Sequence, residues 1–300
     1  MKKKTYLFAL MAMALTLGSC SDNENGIGGE TSKYITVSTS IGNMTRVATD
    51  AKGGQTFEEG DEISVYAWTG APTVAPETSE RVVNNAINKL TNGTWVSTPQ
   101  MLWKNNREKH YFIGVYPTAA ISDLSAGEYT FDANKQTESD LLVAVNPDGL
   151  SYSADAQQIV PLTFIHVMSK LAVNLTYKNQ WGGIPTVEKV VVGNAAKEAT
   201  INYLTKVVTP STTAKEDFSL PEITENTKYV SVIIPQEDVK QLTIVIGGKN
   251  FVYDNGTPFK LESGKITTVN LEVGRDEIKL GDVKITNWED GSTFSGEALN

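Results

Sequence analysis

The chain has 300 residues, a formal net charge of -9, a pI near 4.9, 40% hydrophobic residues and a single cysteine. The acidity excludes a nucleic-acid binder, which needs a basic face toward phosphate. One thiol excludes an internal disulfide, a cysteine zinc cluster or a redox pair, so stability must come from packed cores and sheet hydrogen bonds.

Met1-Lys2-Lys3-Lys4 is a basic head, and residues 6–17 form an apolar run. That run is shorter than the roughly 20 residues of a helical membrane span. It closes on Leu17-Gly18-Ser19-Cys20, the lipobox pattern of bacterial lipoproteins. Residues 1–19 are then a lipoprotein signal peptide, and Cys20 is the acylated new amino terminus; the alternative is a plain secretion signal that contains a cysteine. One acyl chain anchors marginally, at about 0.8 kcal/mol per buried CH2, whereas two or three hold firmly. Residues 20–33 are rich in Gly, Ser, Asn, Asp and Glu and read as a flexible tether.

Beyond the tether, short alternating runs are broken by turn residues, the pattern of an all-β sandwich protein. Residues 34–41 alternate, with Tyr34, Thr36, Ser38 and Ser40 on one face and Ile35, Val37, Thr39 and Ile41 on the other. A loop over 42–55 carries Arg46 and Val47. Strands are predicted at 63–68 and 111–116, and Asn92-Gly93 marks a hairpin turn between 86–90 and 95–96. A second set is expected from residue 159 onward, at 162–166, 171–177, 187–192, 229–234, 242–246, 251–253, 267–273 and 277–288. No helical periodicity persists beyond the leader. Tyr111-x-x-x-Val115-x-Pro117 and Tyr229-x-x-x-Ile233-x-Pro235 share a spacing, a weak echo of two copies of one topology. The expected organisation is an N-terminal domain over 34–158 and a C-terminal domain over 159–300.

Several groups could carry chemistry. Glu58, Glu59, Asp61 and Glu62 are the densest carboxylates, but they flank Gly60 in a turn, where charges are normally solvated rather than arranged for glycoside hydrolysis. Asp132 to Asp140 lacks the spacing of a calcium loop. His110 and His166 are the only histidines and do not make a zinc site. Trp95, Trp103, Trp181 and Trp288 could line a glycan platform, although isolated tryptophans beside strands are more often packing. No catalytic residue, metal or cofactor is expected.

These features together resemble the fimbrillin family of Bacteroidetes, the subunits of type V pili. The resemblance is carried by the lipobox at Cys20, by residues 34–41 with Thr45-Arg46 after them, and by Phe57-Glu58-Glu59-Gly60-Asp61-Glu62-Ile63-Ser64-Val65-Tyr66-Ala67. Residues 162–175 and the ending Ile285-Thr286-Asn287-Trp288-Glu289-Asp290-Gly291 also match. The resemblance implies two tandem transthyretin-like β-sandwich domains after a lipoprotein signal peptide. It implies export to the outer membrane on a lipid anchor and cleavage by an arginine-specific protease in the loop after the first strand. By position, the cut falls between Arg46 and Val47. The partners implied are other fimbrial subunits, with adhesion to a host or bacterial surface receptor, and the location is the cell surface and fimbrium.

Cleavage would remove the strand at 34–41, with Ile35, Val37 and Ile41 as its buried set. Three such side chains bury about 5–9 kcal/mol, at 1.5–3 each, and leave a groove that favours a replacement strand. Ile278, Leu280, Val283 and Ile285 supply apolar alternation for a donor strand at the C-terminus, with a phase break at Gly281-Asp282. If that segment is instead the last strand of its own domain, the chain accepts a strand but does not donate one. Stalk, tip and accessory roles all stay open. The other reading is a non-polymerising surface lipoprotein that binds a glycan or host protein, with Arg46 an ordinary loop residue.

Overall fold

The computed structural model describes residues 33–42, 56–136, 138–153, 158–254 and 256–288. Cys20, Arg46 and Val47 lie outside the described residues.

The first half contributes β1 (Thr36–Ile41), β2 (Glu62–Thr69), β3 (Arg81–Thr91), β4 (Thr94–Thr98), β5 (His110–Tyr116), β6 (Gly127–Thr130), β7 (Leu142–Leu150) and β8 (Ile159–His166). All but β6 join one seven-stranded sheet in the order β1-β8-β7-β5-β2-β3-β4. The β3–β4 hairpin turns on Asn92 and Gly93, with φ of 51° and 72°, the positive pair that a tight two-residue turn requires. The second half opens with β9 (Ser169–Tyr177), β10 (Val187–Ala196), β11 (Glu198–Asn202) and β12 (Val207–Pro210). It continues through β13 (Lys215–Leu220), β14 (Glu222–Thr224), β15 (Lys228–Ile233), β16 (Gln241–Ile246), β17 (Lys249–Asp254), β18 (Lys265–Val273) and β19 (Ile278–Asn287). All of these but β11 and β12 form a five-stranded sheet, β14-β15-β9-β18-β19, and a four-stranded sheet, β13-β10-β16-β17. The protein is an all-β fold of stacked sheets.

The seven-stranded sheet is covered on both faces, and β2 shows how. Ile63, Val65 and Ala67 point into one core with Ile35, Val37, Trp95, Phe112, Leu162 and Phe164. Tyr66 and Trp68 point the other way, into a core that continues through the second half to Val269 and Trp288. Alternate residues of β5 and β7 divide in the same way. This explains why their sequences read as nearly unbroken apolar runs instead of a polar and apolar alternation.

The halves are joined by more than this shared core. β6 pairs with β11, which also pairs with β12, so a three-stranded sheet draws on both halves. The Gln136 side-chain oxygen accepts from the Val232 backbone N–H at 2.7 Å and stitches a first-half loop to β15. The boundary expected after residue 158 falls just before β8, which pairs with strands of the first half. β8 aligns with β1 from Thr36↔Ile159 to Ile41↔Phe164 and is antiparallel to β7, so the first sheet runs on to His166. Val160, Leu162 and Phe164 face the same core as Ile35 and Val37, a long-range match that local alternation does not reveal. The shared Tyr-to-Pro spacing also falls on unlike places, because β5 lies between β2 and β7 whereas β15 lies between β14 and β9. The echo that does exist is one of direction: β1 runs parallel to β8, and β9 runs parallel to β18.

Two outcomes follow from this packing. A Cβ added at Gly114 would sit 2.6 Å from the ring of buried Phe164 and 3.1 Å from Leu162, so Gly114→Ala should cost about 1–3 kcal/mol in urea unfolding. Burial, helped by Asp61, pushes the Tyr116 phenol up to about 12, and burial also raises Tyr129, Tyr177, Tyr203 and Tyr229. Phenols raised above their unfolded value near 10 contribute stability that is complete below about pH 10 and lost as pH rises through the folded values. Melting temperatures should therefore fall steeply above pH 10, with loss of buried phenol followed by ultraviolet difference absorbance.

Candidate functional site

Among the described residues, β1 is an edge strand held by a single ladder. Its partner is β8, with Gly42 N–H closing the pairing on the Phe164 carbonyl at 2.8 Å. On its other side the entry to the strand is gripped. Ile35 N–H donates to the Met101 carbonyl at 2.9 Å, and Trp103 N–H donates to the Lys33 carbonyl at 3.1 Å. Tyr34 bridges Leu102 there. β1 therefore lies between β8, its ladder partner, and the segment that follows β4, the strand at the opposite edge of the sheet.

The inward face is the one expected from alternation. Ile35 is 2% exposed and Val37 is 7% exposed. Ile41 departs from the expectation that it is buried: it is only half-buried against this core, because it stands at the open end of the strand. Complete burial is thus confined to two apolar side chains, worth about 3–6 kcal/mol. Thr39 shares this face, and its hydroxyl accepts from Trp95 Nε1 at 2.9 Å. Beneath them Phe57 meets Trp95, Tyr116 and Phe164 edge-on, with ring centroids 5.3, 5.3 and 5.1 Å away. Without β1 this aromatic floor and the β8 backbone would form a groove open to solvent. The Thr39–Trp95 contact and the Met101–Trp103 grip are not apparent from local sequence, whose only hint is a threonine in the apolar phase of the strand.

The other candidate groups are dispersed. Glu59 accepts from the backbone N–H of Asn92 at 2.7 Å, Asp61 from that of Glu58 at 2.7 Å, and Glu62 pairs with Lys89 at 3.1 Å. The acidic turn thus clamps the β3–β4 hairpin. Asp132 accepts from Asn134 N–H within its own turn, and no group of three or more ligating side chains assembles among the described residues. His110 receives the Lys104 N–H on Nε2 at 3.0 Å and turns Nδ1 to the Glu108 carbonyl. Burial pushes its pKa down, consistent with a neutral ring that organises the 104–108 loop. Trp95, Trp103 and Trp288 are buried, so they offer no shared stacking face.

β19, which carries Ile278, Leu280, Val283 and Ile285, pairs antiparallel with β18 and forms the edge of its sheet. The register slips between Val269 and Leu271, a bulge at the Gly281-Asp282 phase break. Leu280, Val283 and Ile285 are 37–39% exposed, although they pair with buried Leu271, Val269 and Thr267. The strand is followed by Trp288, whose ring stacks on His166 at 4.1 Å beneath the Lys170 ammonium. His166 in turn meets Asp140 at 2.8 Å.

Residues 45–288 match the fimbrillin-like family model, and the chain belongs to that family. The matched span begins after β1. In structure the chain is similar to a candidate cell adhesion protein from Bacteroides ovatus, at 17% identity and a TM-score of 0.62, covering 86% of this chain and 99% of that one. It is also similar to a candidate cell adhesion protein from Bacteroides uniformis, at 16% identity and a TM-score of 0.60, covering 86% and 100%. A fimbrial protein from Bacteroides vulgatus, at 12% identity and a TM-score of 0.52, covers 84% and 99%. At these identities the likeness shows the fold. No curated protein sequence matches the chain.

If β1 plugs a core, its two faces should respond differently to substitution. Ile35→Ala should lose about 2–5 kcal/mol in urea unfolding of the intact chain. Ser38→Ala, on the exposed outer face, should stay within about 0.5 kcal/mol.

Proposed function

We propose that this chain is a structural subunit of a cell-surface fimbria that supports adhesion, exported as a lipoprotein acylated at Cys20 and trimmed between Arg46 and Val47. Trimming releases β1, and a strand from another subunit takes its place in the groove. The observation that carries this reading is the attachment of β1. It rests on one ladder, buries Ile35 and Val37, and leads directly into residues 43–55, which contain Arg46. An emptied edge beside an apolar floor is a template for strand addition. β9 takes the corresponding place in the second half but is flanked by β15 and β18, so β1, unlike β9, can leave without breaking a sheet in two.

The donor is the C-terminal strand in the first instance, since β19 too is an edge strand whose Leu280, Val283 and Ile285 are partly exposed. A second version of the same role has the chain accept a strand without giving one. It is favoured by the continuous β18–β19 pairing and by the burial of Trp288 at its end. Under either version the halves act as two linked β-sandwich domains. The lipid anchor would hold the precursor at the outer membrane until cleavage.

Brief trypsin treatment of the folded chain should yield a product whose mass corresponds to a start at Val47, and this product should form ladders that survive mild detergent. Arg46→Ala should abolish both. A cut chain that keeps residues 33–42 bound and stays monomeric would favour the non-polymerising lipoprotein.

A further inference from the structure

The groove contains one polar demand among its apolar contacts, and that demand restricts what can enter it. Trp95 is 8% exposed, packs edge-on against Phe57, and directs its indole N–H to the Thr39 hydroxyl at 2.9 Å. Thr39 stands between buried Val37 and half-buried Ile41 on the inward face, so this part-buried bond forms on the face that packs against the groove. In an emptied groove the indole N–H can bond to water. When a strand returns, that water is expelled, and the N–H is satisfied only if the incoming side chain carries an acceptor at this position. A buried donor left unpaired costs more than a made bond gains, so the site rejects as well as attracts.

We propose that Trp95 is a specificity-determining residue for strand exchange. The occupant it fits is an extended strand parallel to β8, with apolar side chains at the places of Ile35 and Val37 and a hydroxyl or amide acceptor at the place of Thr39. A strand apolar at all alternate positions is discriminated against, although its greater hydrophobicity would otherwise favour it. The inference rests on the strand-exchange reading above. It adds to that reading a rule for partner choice.

Two measurements separate the failure of this rule from the failure of exchange itself. In the intact chain, urea unfolding of Thr39→Val, Trp95→Phe and the double variant forms a cycle. Thr39→Val should lower the folding equilibrium constant about tenfold or more when Trp95 is present, and much less in the Trp95→Phe background. Thr39→Ser should retain the native value within a few-fold. Equal effects of Thr39→Val in both backgrounds overturn the rule and leave strand exchange standing. The trypsin-cleaved chain is then titrated with labelled peptides spanning 33–42, followed by fluorescence anisotropy. The native and Thr39→Ser peptides should bind about tenfold or more tightly than the Thr39→Val peptide, and Trp95→Phe in the protein should close the gap. A Thr39→Val peptide that binds as well as the native one overturns the proposal. Failure of every peptide to enter, despite coupling in the intact chain, overturns the exchange reading and the proposal with it.

Discussion

The parallel pairing of β1 with β8 is the constraint from which the behaviour of the first half follows. β8 is the strand that closes the seven-stranded sheet against β7, and β1 is the strand on its other side. Through β8 the inner core gains Ile35 and Val37, and through the Met101–Trp103 segment the opposite edge of the sheet is drawn toward the same strand. One short element therefore completes both an edge and a core. Edge strands are ordinarily a hazard because they present unpaired backbone groups. Here the protein covers that hazard with a segment of its own chain.

The second core limits what loss of that cover would expose. The central strands of the sheet divide their side chains, one set facing β1 and the other facing the core shared with the second half. Loss of β1 would uncover the first set only. Tyr66, Trp68, Ile113 and Val143 would remain in the core shared with the other half, and the β6–β11 ladder would remain paired. A sheet buried on both faces can give up a strand at one edge while its other face keeps it in place. The second half has no equivalent freedom at β9, which stands in the interior of its sheet.

Much of this was legible in the amino-acid order, and what was not has a common cause. Alternation placed Ile35 and Val37 on one face, and Asn92-Gly93 located the hairpin, because both are properties of a few neighbouring residues. The place of β8 was not legible, since Val160, Leu162 and Phe164 alternate in the same way whichever sheet they join. The roles of Glu59 and Trp95 were hidden for the same reason: each is defined by a partner far along the chain, Asn92 for one and Thr39 for the other. The acidic turn looks like chemistry in one dimension and proves to be a clamp in three. Ile41 was placed on the correct face, but its half-exposure depends on where the ladder stops.

The span that β1 bridges also bears on the order of events during synthesis. Ser40 and its neighbour Thr163 are 123 residues apart in the chain, so the earliest strand to leave the ribosome waits for nearly the latest piece of its own sheet. Hairpins such as β3–β4 can close locally and soon, whereas a parallel contact of this reach bears the loop-closure penalty of everything between. The same segment is then first made, late to dock, and attached at a margin that no other strand depends on for its own pairing. Its place in the finished molecule is that of a guest.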